Sequence, residues 1–166
     1  MIVAYEARQL NLRARNPTAI PGPERTTAGD IEDLKVIFGL KPKALGSLSA
    51  ENWEAMHCVA GVSHLLGGGI SAEWLPYDFT CPAHLHRQTA ILMMQFVFKH
   101  VRDKQRLREI GVKEATYVCA EAGACGACLK LSGKVFTLDS FPELPNGECI
   151  CDRGCLCMMH AVIPGF

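Results

Sequence analysis

The chain has 166 residues, 49 % of them hydrophobic, and its 17 basic side chains balance 17 acidic ones. A core of ordinary size can therefore form without disulfide support, and the net charge gives no sign of a nucleic-acid or membrane partner. The longest apolar run, residues 90–98, is too short to cross ~30 Å of hydrocarbon. No secretory signal is recognisable, so we expect a cytoplasmic or virion-associated protein.

The first elements in chain order are an arm and a helix. Residues 1–25 are polar and contain three prolines, which predicts an extended N-terminal arm. A helical body is expected over residues 26–111. Its first helix is predicted within residues 26–40, with Asp30 as the N-cap and Gly39 near its end.

Two more helices complete the predicted body. The second is expected to open at Ser47 or Ser49 and to reach about Leu66, where three glycines follow. The third and longest is expected from about Ala83 to about Ile110. Apolar residues recur along it at helical spacing, and Gly111 follows as a natural C′ residue.

The C-terminal segment, residues 112–166, has a different character. It is rich in turn residues and carries seven of the nine cysteines. Residues 114–120 and 134–138 are β-like, which predicts a hairpin around the glycine-rich turn between them. The fold class expected is therefore α+β, a mainly helical body with a small β-hairpin module.

The cysteines of this segment have the spacing of a zinc site. Cys125 and Cys128 form a C-x2-C pair, and the stretch CICDRGCLC follows about twenty residues later. In a reducing compartment, such pairs point to tetrahedral structural zinc before disulfides. Cys125, Cys128 and Cys155 are the preferred ligands, with one more from the late cysteines and His160 as a substitute. The candidate metal ligands are Cys125, Cys128, Cys149, Cys151, Cys155 and Cys157.

Two other interpretations of the cysteines stay open. They can form disulfides, although an odd total of nine fits a fully paired framework poorly. They can also be free or redox-active thiols, in a thiol redox or metal-handling protein built on Cys125 and Cys128. That role requires an exposed sulfur with a lowered pKa.

Two weaker patterns lie in the helical body. His57, Cys81 and His84 form a candidate second metal site, because C-x2-H is a ligand-like spacing. The alternative makes Cys58 a small core residue and the histidines helix caps or surface groups. The end of the long helix is basic and suggests an alternative nucleic-acid-binding protein. Its cations are Lys99, Arg102, Lys104, Arg106 and Arg108.

Charge is unevenly distributed along the body. Residues 81–114 hold seven basic and three acidic side chains, whereas residues 26–80 hold seven acidic and three basic ones. An intramolecular match between the two segments is the preferred explanation, and a weak basic face for an anionic partner is the alternative.

About forty C-terminal residues resemble a known family. The motif LSGKVF at 131–136, the prolines Pro142 and Pro145, and the closing Cys155-Leu156-Cys157 follow the C-x2-C pair in order. This segment resembles the C-terminal segment of phage Mu F-like minor head proteins and related prophage proteins. FGLKP at residues 38–42 is similar to an FGLPP-like helix end in that family. Leu156 stands where the family has Arg, and Cys151 is additional.

The resemblance implies a virion-assembly or prophage-derived protein that acts through protein contacts near the portal. With the zinc site expected from the cysteine spacing, the function expected is that of a non-enzymatic, zinc-binding assembly protein. Its expected partner is a protein of the phage portal or capsid, with nucleic acid as the alternative partner and no membrane. It implies no catalytic residues, and no Ser-His-Asp order or paired-carboxylate pattern stands out in the sequence.

Overall fold

The computed structural model describes residues 26–46, 48–67, 72–120 and 123–163; the predicted arm 1–25 and Ser47 lie outside them. Within these ranges the fold is α+β, as predicted from the sequence. Short 3-10 turns occur at Lys43–Leu45 and Ala72–Trp74. The α-helices and β-strands, in chain order, are α1 (Thr27–Gly39), α2 (Ala50–Leu65), α3 (Arg87–Glu109), β1 (Glu114–Val118), α4 (Gly126–Leu129), β2 (Val135–Thr137) and β3 (Met158–Ala161).

Helix α1 begins earlier than the sequence pattern indicated. Thr26 is the N-cap, and its side chain accepts a hydrogen bond of 3.1 Å from the backbone N–H of Gly29. The prediction of Asp30 as N-cap is therefore wrong. Because threonine caps a helix almost as well as aspartate, the helix gains four residues, and Asp30 lies in its first turn beside the positive end of the dipole.

Helix α2 starts as expected and packs closely on α1. Ser49 is its N-cap and accepts from the N–H of Asn52 at 3.2 Å. Gly61 faces α1, where an added Cβ would lie 3.0 Å from Leu34 and 3.2 Å from Phe38. The two helices can approach this closely because Gly61 has no side chain.

Helix α3 is the longest element and supports both halves of the protein. It begins at Arg87, four residues later than predicted, because Leu85 closes a turn back to the Pro82 carbonyl. It ends in a Schellman motif: the N–H groups of Gly111 and Val112 bond the carbonyls of Arg108 and Leu107. Among the described residues, no helix has the length and apolarity needed to span a membrane.

The helical body has its own hydrophobic core. Trp53 and Met56 of α2 meet Ile91 and Met94 of α3, and Ile37 joins them from α1. At the same interface the buried Ser63 hydroxyl accepts a hydrogen bond from the Gln95 side chain. A satisfied polar pair inside an apolar interface fixes the relative position of the two helices.

The C-terminal module, residues 112–163, is a three-stranded antiparallel sheet with strand order β2-β1-β3. Ala115 of β1 faces Phe136 of β2 on one side and Ala161 of β3 on the other. The predicted hairpin is present, but β3 was not predicted: Met158–Ala161, directly after Cys157, form a third strand. Tyr117 of β1 is fully buried in the second core of the protein.

Several contacts join the module to the helical body. Leu107 of α3 packs against the module core, and β3 lies against the same helix. The backbone N–H of Lys43 donates to Glu143 at 3.1 Å. Gly154 lies against α3 so closely that an added Cβ would come within 2.9 Å of Thr89. The loop of late cysteines is therefore held against the helix that organises the body.

Gly154 gives a test of this contact. Its φ of +79° is left-handed, so Gly154→Ala adds backbone strain of ~1–2 kcal/mol and a clash with Thr89 and Met93. Gly133→Ala is the matched control, because its φ is +77° and its Cβ meets nothing within 4 Å. In urea unfolding, Gly154→Ala should destabilise the protein more than Gly133→Ala. Equal losses would show that the contact with α3 contributes nothing.

Candidate metal centre

Three short segments bring cysteines together in one region of the C-terminal module. Cys125 is the N-cap of α4 and Cys128 lies within that helix. Cys149 follows residues 142–147, called the proline loop below, and Cys155 and Cys157 directly precede β3. These five residues, Cys125, Cys128, Cys149, Cys155 and Cys157, are called the thiol cluster below.

The sulfur atoms lie at distances suited to a metal ion. The Sγ atoms of Cys125 and Cys149 are 3.8 Å apart, and those of Cys128 and Cys155 are also 3.8 Å apart. A tetrahedral ion with metal–sulfur bonds of ~2.3 Å has sulfur–sulfur edges of about 3.8 Å. A disulfide bond measures only ~2.05 Å. Each of these two pairs is thus spaced as two ligands of one ion and not as a disulfide, and all nine cysteines are free thiols.

The cluster is shielded from solvent. Cys128 is 1 % exposed and Cys149 is 3 % exposed, and Cys155 and Cys157 are also buried. Cys125 is partly exposed. A soft thiolate set buried in this way could hold a metal ion of the kind that prefers sulfur.

Backbone N–H groups favour the thiolate form of Cys125. Burial opposes ionisation, but the N–H groups of Ile150 and Cys128, together with the thiols of Cys128 and Cys149, lower the pKa of Cys125 to about 6. A similar backbone hydrogen bond from Cys151 reaches Cys149. Such N–H donors are what a metal-bound thiolate requires, since they disperse its negative charge.

The deeper thiols behave in the opposite way. Burial, reinforced by the charge of Cys155, raises the pKa of Cys128 to about 11, although a hydrogen bond with Cys157 opposes the shift. Burial likewise raises the pKa of Cys149 and of Cys157 above the ordinary thiol value. These thiols keep their protons unless a cation replaces them, so metal binding here releases protons.

Two polar side chains surround the sulfurs. The Asn146 amide donates to the Cys128 sulfur at 3.8 Å, and its carbonyl oxygen accepts from the N–H of Glu148 at 3.0 Å. The Tyr117 hydroxyl is buried and makes no hydrogen bond of normal geometry within the described residues. Burial first, and then the nearby thiols of Cys157 and Cys155, raise the pKa of Tyr117, so the phenol stays neutral.

A depression of about 350 Å³ opens beside the cluster. Cys128, Cys151 and Cys157 line it, together with the exposed Leu156. Two of the cluster cysteines, Cys128 and Cys157, therefore border this depression.

Two predicted ligands lie outside the cluster. The Cys151 sulfur donates to the carbonyl of Gly123 at 3.5 Å and belongs to neither group of metal-competent sulfurs. His160 is exposed on β3 opposite Thr116. The choice of Cys149 in preference to Cys151 was not readable from spacing, because both follow the proline loop.

The second predicted metal site is not assembled in the described residues. The Nε2 atom of His57 lies 2.6 Å from the Leu40 carbonyl, and its ring stacks on Trp53. The Cys81 thiol donates to the Leu85 carbonyl, and the buried Nε2 of His84 has no hydrogen-bond partner within the described ranges. The alternative interpretation also needs correction, because Cys58 is exposed and His57 is buried.

The basic residues of α3 are largely matched by acids. Arg102 lies 3.2 Å from Asp33 of α1, which joins the basic and acidic segments as the intramolecular interpretation anticipates. Arg108 lies 2.6 Å from Asp139, and Lys99 pairs with Asp103. Desolvation, together with the neighbouring Arg108, lowers the pKa of Lys104. Arg106 is exposed.

Comparison with protein-family models, with curated proteins and with solved structures finds no significant match to this chain. The geometry of the thiol cluster therefore carries the functional argument, and the phage-head resemblance of the tail stays a prediction.

Sequence reasoning missed Tyr117 and Asn146. Tyr117 was recognised as part of a strand, and the period-2 pattern of β1 does place it on the face of Ala115. Asn146, in the sequence PNG, indicates only a turn. Nothing in the spacing shows that its amide reaches back to Cys128.

Asn146→Ala should weaken metal binding without removing a ligand. It deletes the amide donor to Cys128 and the acceptor for Glu148, and loss of such a partner typically costs ~10–100-fold in affinity. Zinc titration against a competing chelator measures this. Asn52→Ala is the control, since that amide bonds only Thr80, remote from the cluster in sequence. Unchanged affinity in Asn146→Ala would remove this residue from the site.

Proposed function

We propose that this protein is a non-enzymatic assembly protein whose C-terminal module is held together by structural zinc. This zinc and its cysteine ligands are called the zinc staple below. The supporting observation is the thiol cluster, in which sulfurs separated by up to 27 residues meet at 3.8 Å inside a small core. A module of this size gains little from its core alone. Metal binding adds directly to its folding free energy.

The thiol cluster supplies the zinc ligands. The Sγ atoms of Cys125, Cys128 and Cys149 all lie within 4.8 Å of one another, and the Sγ atoms of Cys128 and Cys155 are 3.8 Å apart. Zinc is preferred over other thiophilic metals because four thiolates form its ordinary structural site in a reducing compartment such as the cytoplasm.

The surface around the staple supports a role in protein contacts. Ile150 is 72 % exposed and Leu156 is 47 % exposed, and both lie between cysteines of the thiol cluster. Rigid loops that hold apolar side chains in solvent are suited to a protein partner. Together with the resemblance of the tail to minor head proteins, this favours a portal or capsid protein as the partner.

The nucleic-acid alternative has less support, because Lys99, Arg102 and Arg108 each have an acidic partner. Such pairing lowers the positive field that phosphate binding requires. The thiol redox alternative gains one observation: Cys125 is partly exposed and has a lowered pKa. The same N–H donors serve a metal-bound thiolate, so zinc explains that shift as well.

Zinc content and thiol reactivity test the staple. Protein purified without added metal should contain at least about one zinc per chain, because closed thiolate sites retain the ion. The cluster thiols should react with a thiol reagent only after chelation. Cys58 is the internal control, because it is exposed and outside the module.

Three results would contradict the staple. Metal-free protein whose cluster thiols react as readily as Cys58 would favour the redox alternative. Metal-free protein with few reactive thiols would favour disulfides. Full retention of thermal stability after chelation would show that the metal does not support folding.

The assembly role predicts a partner contact that depends on Ile150 and Leu156. Coexpressed with portal and capsid proteins of a Mu-like phage, the wild-type chain should cosediment with the portal or the head. The double variant Ile150→Asp, Leu156→Asp should retain zinc and lose cosedimentation. Ile31→Asp is the control, since Ile31 is 51 % exposed on α1.

A salt titration of DNA binding provides the contrary outcome. Tight binding with a steep salt dependence, lost in Arg106→Ala, would favour the nucleic-acid alternative over assembly. Absence of both DNA binding and cosedimentation would refute both partner classes for this chain.

A further inference from the structure

The metal-competent sulfurs of the described residues form two groups of three, not one group of four. The first group is Cys125, Cys128 and Cys149, and the second is Cys128, Cys155 and Cys157. Within each group all sulfur atoms lie within 4.8 Å of one another. Cys128 belongs to both groups and is 1 % exposed, so it lies at the centre of the cluster.

This arrangement differs from that of a single closed site. Four sulfurs around one tetrahedral ion would all lie about 3.8 Å from one another. Sulfurs that bind different ions lie farther apart than sulfurs that bind the same ion. Two groups of sulfurs that share one member are therefore the arrangement expected for two ions bridged by one thiolate. A thiolate is a soft donor with several lone pairs, so one thiolate sulfur can bridge two thiophilic ions.

Further donors lie next to both groups. Cys151 follows Cys149 by two residues, and its thiol is a hydrogen-bonding neighbour of the Cys149 sulfur. The fully buried Tyr117 hydroxyl adjoins Cys157 and has no hydrogen-bond partner of normal geometry in the described part of the chain. A buried polar atom without a partner is costly, and a metal ion or a metal-bound water would satisfy it.

We propose that the thiol cluster binds two zinc ions, with Cys128 as the bridging thiolate. Cys125 and Cys149 complete the protein ligands of one ion, and Cys155 and Cys157 those of the other. Each cysteine releases its thiol proton to solvent when its sulfur binds metal, and no electron is transferred. This inference rests on the proposed zinc staple and adds a second ion, which makes Cys157 a ligand.

Native mass spectrometry of the full chain, refolded with zinc and passed over a weak chelator, counts the ions. The expected result is about two zinc ions per chain in the wild type. Cys157→Ser should retain about one, because the first group of sulfurs stays complete. Cys58→Ser is the matched control and should retain the wild-type count, since Cys58 lies on α2.

The outcomes separate this inference from the staple itself. About one zinc per chain in the wild type would overturn the second ion and leave the staple standing. No bound zinc would overturn both. If Cys157→Ser still binds two zinc ions, the second ion binds elsewhere, and this result would also overturn the proposal.

If Cys157→Ser does not fold, cadmium-113 NMR of the wild-type protein loaded with cadmium in place of zinc tests the bridge directly. Two thiolate-type resonances with a scalar coupling between the two cadmium nuclei would support a shared Cys128 sulfur. A single resonance, or two uncoupled ones, would refute the bridge.

Discussion

The cost of burying several thiols at one point is the constraint on which the C-terminal module depends. The sulfurs of Cys128, Cys149, Cys155 and Cys157 are removed from water and lie close together. Without a cation, burial keeps the protons on Cys128, Cys149 and Cys157, whose pKa values it raises. With a cation they become ligands, and the free energy of binding is added to that of folding. The same core contains Tyr117 of β1 and Leu144 of the proline loop, which pack with these cysteines.

Helix α3 connects the thiol cluster to the core of the helical body. Its first half supplies Ile91 and Met94 to the core of the helical body, and Leu107 near its end reaches the core of the module. Gly154, between two cluster cysteines, touches the same helix at Thr89 and Met93. Loosening the cluster therefore removes support from the body as well as from the module.

The sequence predicted the local features well and the long-range ones poorly. Ser49, Gly111 and the two strands of the hairpin were readable because capping, C-terminal glycines and β-branched runs are local signals. The start of α1 was misplaced because Thr26 and Asp30 are both competent caps.

In the candidate site, too, the features set by local sequence were predicted and those set by long-range contacts were not. The C-x2-C pair was readable from its spacing, and so was the contribution of late cysteines. Selection of Cys149 over Cys151, and the approach of Tyr117 and Asn146, depend on how the chain returns through the proline loop. The strand β3 was missed because Met158–Ala161 is short and follows a cysteine-rich turn. Tertiary pairing with β1, not local propensity, makes it a strand.

The dimensions of the sheet bear on how this protein avoids self-association. The central strand β1 is paired on both sides, and the outer strands β2 and β3 contain only three and four residues. Edges this short present few free backbone groups, so they are poor templates for strand addition by another chain. A partner of the module is therefore expected to recognise side chains and not to extend the sheet.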